Sequence, residues 1–158
     1  MEQNILLDAP TAAVIVAAGL SSRMRGIDKI LAPLRDEPVL WHTLHAFEQC
    51  EAIGEIVVVT RSILIQAVQD MIRARGLHKV WHVVEGGETR QQSTYKGVCA
   101  LSSGSSLVCV HDGARPLVSG QVILAAISAA RNHGAATAAI PVKDTIKEEH
   151  NGFVACTY

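Results

Sequence analysis

Aromatic residues make up only 4% of the 158-residue chain, and charged residues only 18%. An average globular domain carries about 25% charged residues. With 49% hydrophobic residues, the shortage of charge excludes a disordered chain and predicts one domain with a large core. Neither sign of charge dominates: 14 Lys and Arg stand against 15 Asp and Glu, for a net charge of −1. A broad basic field is therefore absent and no nucleic-acid partner is expected. Any anion site must gather its positive charge locally. The cysteines at positions 50, 99, 109 and 156 form no Cys-x-x-Cys pair, so reduced thiols and a cytoplasmic location are expected. The histidines are scattered with no His-Glu-x-x-His motif, and no metal-ligating set of side chains is expected. The first residues lack a basic segment and a long apolar run, and no apolar stretch approaches the roughly 18 residues that would span a membrane. Gly-x-Gly-x-x-Gly and Gly-Lys-Ser/Thr are both missing. That argues against a dinucleotide dehydrogenase and against a P-loop.

What the chain does have is alternation. Apolar runs at 12–18, 56–59, 80–84, 106–110 and 135–141 read as five strands, most of them without the polar alternation of a half-exposed sheet. Helical spacing of apolar residues falls at 39–50, 63–75, 91–101 and 119–132. Strands separated by helices of this length predict βαβ units: a Rossmann-like three-layer α/β/α fold with a mostly parallel sheet. Residues 1–10 are expected to form a tail and residues 11–144 the domain. Residues 145–158 carry Asn151-Gly152 between two β-prone stretches, which predicts a hairpin.

Four polar clusters fall where the strands should end. After the first strand comes Ala17-Ala18-Gly19, with Arg23, Arg25 and Lys29 following and Asp28 the one acid. Such a loop suits a triphosphate whose leaving pyrophosphate gains charge, or it is an ordinary solvated loop. Glu85-Gly86-Gly87-Glu88-Thr89-Arg90-Gln91-Gln92-Ser93 could grip a base or ribose, or serve only as a β-to-α turn. In His111-Asp112-Gly113-Ala114-Arg115-Pro116, Asp112 could meet ribose hydroxyls or a metal ion and Arg115 a phosphate. Alternatively the two pair and brace the loop. The fourth cluster is Pro141-Val142-Lys143-Asp144-Thr145. Ligands of open α/β sheets bind along this carboxyl edge, and four clusters there are hard to explain as independent loops.

Taken together, Ala17-Ala18-Gly19 with Arg23-Met24 and Lys29, Gly86-Gly87-x-x-Arg90-x-x-Ser93, the 111–116 run and Pro141-Val142-Lys143-Asp144-Thr145-Ile146-Lys147 resemble the 2-C-methyl-D-erythritol 4-phosphate cytidylyltransferase family. The resemblance implies transfer of CMP from CTP to 2-C-methyl-D-erythritol 4-phosphate with Mg2+ as cofactor. It implies that Ala17, Ala18 and Gly19 hold the nucleotide through the backbone, with Gly87, Glu88 and Ser93 at cytosine and ribose. Arg23 and Lys29 would be the catalytic cations, and Asp112, Arg115 and Thr145 would lie on the substrate side. It further implies that relatives continue past Tyr158. On that expectation the sequence is C-terminally truncated, residues 145–158 begin a dimerisation β-arm, and the complete form is a homodimer. Two alternatives share these loops: a ribitol-5-phosphate cytidylyltransferase, and a catalytically silent CTP-binding chain.

Overall fold

The computed structural model describes residues 11–19, 28–102 and 104–158. The expected tail at 1–10 and the catalytic candidate Arg23 lie outside them. The central sheet is built from β1 (Thr11–Val16), β4 (Ile53–Thr60), β5 (Val80–Glu85) and β6 (Leu107–Asp112), in the order β5-β4-β1-β6. Every pairing in it is parallel. Among the described residues, four helices connect or flank these strands: α1 (Val39–Glu48), α2 (Ile65–Ala74), α3 (Arg90–Cys99) and α4 (Gly120–His133). A two-stranded ribbon of β2 (Pro33–Leu34) and β3 (Glu37–Pro38) precedes α1, and a 3-10 turn at Ser62–Leu64 precedes α2. This is the doubly wound α/β architecture that the alternation predicts.

The central strands β1 and β4 are apolar apart from Thr11, Glu55 and Thr60, because both their faces are covered. Ala12, Ala13, Val14 and Ile15 of β1, and Ile56 to Val59 of β4, are fully buried. On one face Ala13, Ile15, Ile56 and Val58 pack with Leu40, Leu44 and Phe47 of α1, Val68 and Ile72 of α2, and Ile123 and Ile127 of α4. On the other, Val14, Val57 and Val59 pack with Ala100 and Leu101 at the end of α3. There α3 comes very close to the sheet. A Cβ added at Gly97 would lie 2.4 Å from Val14 Cγ1 and 2.7 Å from Val59 Cγ2, so only glycine permits this approach. The start of α3 is fixed by a reciprocal cap: Thr89 Oγ1 accepts from Gln92 N, and Gln92 Oε1 accepts from Thr89 N. Ser119 caps α4 in the simpler way.

The expected fifth strand at 135–141 is not formed. Residues 134–146 carry no regular structure and are exposed throughout. The sheet ends instead at β6, whose Val108 and Val110 remain about two-fifths exposed (40% and 41%). The run Ala135-Ala136-Thr137-Ala138-Ala139 has the apolar character of a buried strand but side chains too small to bury much area. The C-terminal hairpin does form. β7 (Lys147–His150) pairs antiparallel with β8 (Phe153–Thr157). Asn151 and Gly152 supply the two positive φ values, 50° and 83°, that a two-residue turn needs. Among the described residues, no helix is long and apolar enough to cross a membrane. All four cysteines are free thiols.

Candidate functional site

Register brings the strand ends level. Val16 pairs with Val59 on one side and with Asp112 on the other, and Thr60 pairs with Glu85. The backbone bonding continues one step past each strand: Ala17 N donates to Val59 O (2.7 Å), Gly86 N to Thr60 O (2.8 Å) and Gly113 N to Val16 O (2.8 Å). The three loops that carry the motifs therefore leave the sheet side by side, and they enclose an open cleft of about 1380 Å³.

Its floor is the end of β1. Ala17, Ala18 and Gly19 line the cleft. Nothing among the described residues lies within 4 Å of where a Gly19 side chain would begin, and its φ is not in the left-handed region. Among the described residues no neighbour demands a glycine there, and its φ does not require one. Gly86 is the opposite case. A Cβ there would lie 2.5 Å from the Ala18 Cβ and 2.8 Å from Ser93 Oγ, so this glycine is required by the contact between the β5–α3 loop and the β1 end.

One wall is that β5–α3 loop. Gly86, Gly87 and Glu88 line the cleft. Ser93 is almost completely buried, and its hydroxyl donates to Thr89 O (2.9 Å) while accepting from Gly87 N (3.0 Å). The side chain expected at cytosine and ribose thus braces the glycine turn from behind. Lys96, one turn further along α3, donates from Nζ to Gly86 O (2.8 Å).

The opposite wall is the end of β6. Asp112 is held by two guanidinium groups. Arg90 donates from Nε and Nη2 to Oδ1 (3.1 and 3.0 Å), and Arg115 donates from Nε to Oδ2 (2.9 Å). Partial burial alone would raise the Asp112 pKa. The hydrogen bonds and positive charges of Arg90 and Arg115 outweigh it and hold the carboxyl below its ordinary value. The Asp–Arg brace considered from sequence is therefore present, and Arg90 joins it. Behind this wall His111 Nε2 donates to Arg115 O (3.2 Å), and its ring tilts against Phe47 at 5.2 Å. Burial, the largest influence, pulls the His111 pKa below normal, despite the opposing bond to Arg115 and the Asp112 charge. His111 is thus a neutral loop brace. Thr43 Oγ1, buried on α1, fixes Gly113 O at 2.9 Å.

Among the described residues, five cations, Lys29, Arg61, Arg90, Lys96 and Arg115, line the cleft against three acids, Glu85, Glu88 and Asp112. In a chain of net charge −1, that local surplus suits a polyanion. Of the candidates taken from sequence, Ala17, Ala18, Gly19, Lys29, Gly87, Glu88, Ser93, Asp112 and Arg115 are brought together here. Thr145 is not: it is exposed and lies outside the cleft lining. Sequence reasoning missed Arg61 and Lys96. For Lys96 a signal existed, because Thr89, Ser93 and Lys96 recur at helical spacing on the face of α3 that begins at the glycine turn. Among the described residues, no group of three or more His, Cys, Asp or Glu side chains could hold a metal ion.

A parallel sheet with a cation-rich cleft across its carboxyl edge, floored by backbone rather than by a P-loop, is the arrangement in which open α/β proteins bind their ligands. A family model, 2-C-methyl-D-erythritol 4-phosphate cytidylyltransferase, matches residues 11–158. The chain belongs to that family. It is 42% identical over 137 residues to the 2-C-methyl-D-erythritol 4-phosphate cytidylyltransferase of Caldanaerobacter subterraneus subsp. tengcongensis, covering 85% of this chain and 60% of the relative. It is also 42% identical over 144 residues to the protein of that name from Dehalococcoides mccartyi (strain ATCC BAA-2266 / KCTC 15142 / 195), covering 91% of this chain and 63% of the relative. The crystal structure of 4-diphosphocytidyl-2C-methyl-D-erythritol synthase from Anaerococcus prevotii superposes with a TM-score of 0.84 at 32% identity, covering 98% of this chain and 66% of that one. The chain thus spans about three fifths of the length of the curated relatives it matches.

Proposed function

We propose that the cleft binds CTP and transfers its CMP group to 2-C-methyl-D-erythritol 4-phosphate, releasing pyrophosphate. The observation that carries this reading is the cleft itself. It sets a backbone floor at Ala17, Ala18 and Gly19 beneath a surplus of cations, in a chain of this family. Ala17, Ala18 and Gly19 would receive the phosphates through the backbone. Gly87 and Glu88 would meet cytosine and ribose, on a turn that Ser93 keeps rigid. Asp112, with Arg115 and Arg90, would face the alcohol phosphate, and Thr145 would join them where residues 141–147 come alongside.

The chemistry asks little of acid–base groups. A phosphate oxygen of the acceptor, already anionic at neutral pH, attacks the α-phosphorus of CTP. The new oxygen–phosphorus bond forms as the bond from the α-phosphorus to the bridging oxygen of the β-phosphate breaks. Pyrophosphate leaves with that electron pair, and no proton has to move. Catalysis is positioning and stabilisation of the growing negative charge, the work assigned to Lys29 and Arg23. That no nucleophile–histidine pair is needed agrees with His111 being tied to its own loop.

Mg2+ fits these residues in one way. Such an ion keeps several waters and binds through substrate phosphates with one or two carboxylates. Asp112 is an ionised carboxylate at the cleft, and it would have to give up a bond to Arg90 or Arg115 to serve. When bound, the ion would neutralise charge on the triphosphate. We further read the hairpin at 147–157 as the beginning of an arm that engages a second copy of the chain, and the enzyme as cytoplasmic.

A second reading, CTP binding without turnover, is favoured by the position of Thr145 outside the cleft lining. Calorimetric titration with CTP, beside pyrophosphate release with CTP, Mg2+ and 2-C-methyl-D-erythritol 4-phosphate, separates the two. Binding with release supports transfer, binding without release supports the second reading, and no binding refutes both.

A further inference from the structure

We infer that Arg61 is a positioning residue that fixes Lys29 at the cleft by pairing with Asp28. The inference rests on the reading above only for its turnover readout.

Arg61 stands at the first position after β4, where the backbone is held on both sides. Thr60 O accepts from Gly86 N (2.8 Å), and Arg61 O accepts from Leu64 N (2.9 Å) to close the 3-10 turn. From there the guanidinium forms an ion pair with Asp28 Oδ2. The other oxygen, Oδ1, accepts from Ile30 N (3.3 Å), while the Asp28 carbonyl accepts from Leu31 N (3.1 Å) and Ala32 N (2.9 Å). Asp28 is therefore the organising residue of a tight turn, and Arg61 tethers that turn to the sheet. On its far side, Ile30 is 1% exposed in the core and its carbonyl accepts from Leu40 N (2.9 Å). Lys29 sits between two anchored neighbours and lines the cleft.

The pair is partly withdrawn from water, with 29% of the Arg61 and 17% of the Asp28 side chain exposed. Solvent screening that reduces most surface pairs to little is weaker here. Loss of Arg61 leaves the Asp28 carboxylate half-buried without its counterion, and the turn can relax toward water, carrying Lys29 with it. A transition-state contact is sensitive to such shifts.

The test uses R61M, R61K and D28N in the full chain. The direct readout is amide hydrogen exchange. R61M and D28N are expected to speed exchange at Leu31 and Ala32 by about tenfold or more, while Val57 to Val59 keep the parent rate, marking local rather than global opening. R61K, which keeps the charge, is expected to stay closer to the parent. Unchanged exchange at Leu31 and Ala32 in R61M overturns the proposal. The second readout is kcat for pyrophosphate release. R61M is expected to lower it about tenfold in the parent but less than about threefold on a K29A background, because a residue acting through Lys29 has little left to lose. An equal loss on both backgrounds means that Arg61 acts independently of Lys29, and it also overturns the proposal. If the parent binds no CTP and releases no pyrophosphate, the functional reading falls, and the exchange experiment alone still decides the role of Arg61.

Discussion

Gly19→Ala separates folding from ligand binding at a single atom. Nothing among the described residues lies within 4 Å of the Cβ this change adds, and the backbone there does not need a glycine φ. The added methyl therefore meets no resistance from the described part of the fold. Replacing glycine where the conformation is permissive restricts the unfolded chain and stabilises by about 0.4–1 kcal/mol. For a chain of this size, that raises Tm by roughly 1–4 °C. On the ligand side the methyl occupies the space through which the backbone would approach the triphosphate. Loss of one hydrogen bond to a charged group costs about 1.5–3 kcal/mol, which weakens CTP by roughly 10- to 150-fold. The assay is a urea melt beside calorimetric titration with CTP. Parent-like CTP affinity in Gly19→Ala would show that the nucleotide does not lie over the end of β1. A loss of stability above about 1 kcal/mol would show that the space is not open, since permissive sites do not respond in that way.

Three further outcomes are expected. Gly97→Ala should destabilise by about 1–3 kcal/mol despite the better helix propensity of alanine, because its methyl would press on Val14 and Val59, both fully buried; a urea midpoint at or above the parent's contradicts this. Asp112→Asn should change stability at neutral pH by less than about 1 kcal/mol, since its partners are largely exposed, yet lower turnover. The folded pKa of Asp112 is depressed, so its contribution is present above the unfolded carboxylate value and lost as pH falls through the folded one. Parent and variant melts should accordingly converge in acid. His111→Gln should flatten the stability profile below about pH 6.5. The folded His111 pKa is lowered, so as pH falls the unfolded state takes up a proton first and the parent loses stability there; identical profiles would remove His111 from that loss.

Much of this architecture was legible because β1 and β4 are covered on both faces, and burial of that kind writes continuous apolar runs into the sequence. The carboxyl-edge cleft followed for three of the four motifs, which sit directly after β1, β5 and β6, but not for Pro141 to Thr145, whose expected strand does not form. The run at 135–141 misled for a related reason: small apolar residues look like a buried strand, but among the described residues this segment stays exposed and Val108 and Val110 of β6 are only partly covered. Ser93 lies at the cleft, and sequence cannot show that its hydroxyl is also engaged by Thr89 and Gly87. Arg61 left no signal at all. Its partner Asp28 belongs to another loop, and the pairing exists only because β1 and β4 lie side by side.

The most direct measurement is 31P NMR of the full chain with CTP, Mg2+ and 2-C-methyl-D-erythritol 4-phosphate, run beside ribitol 5-phosphate. The account predicts new diphosphate diester signals together with pyrophosphate for the first acceptor only. Diester formed from ribitol 5-phosphate instead, or CTP left intact with both acceptors, would contradict it.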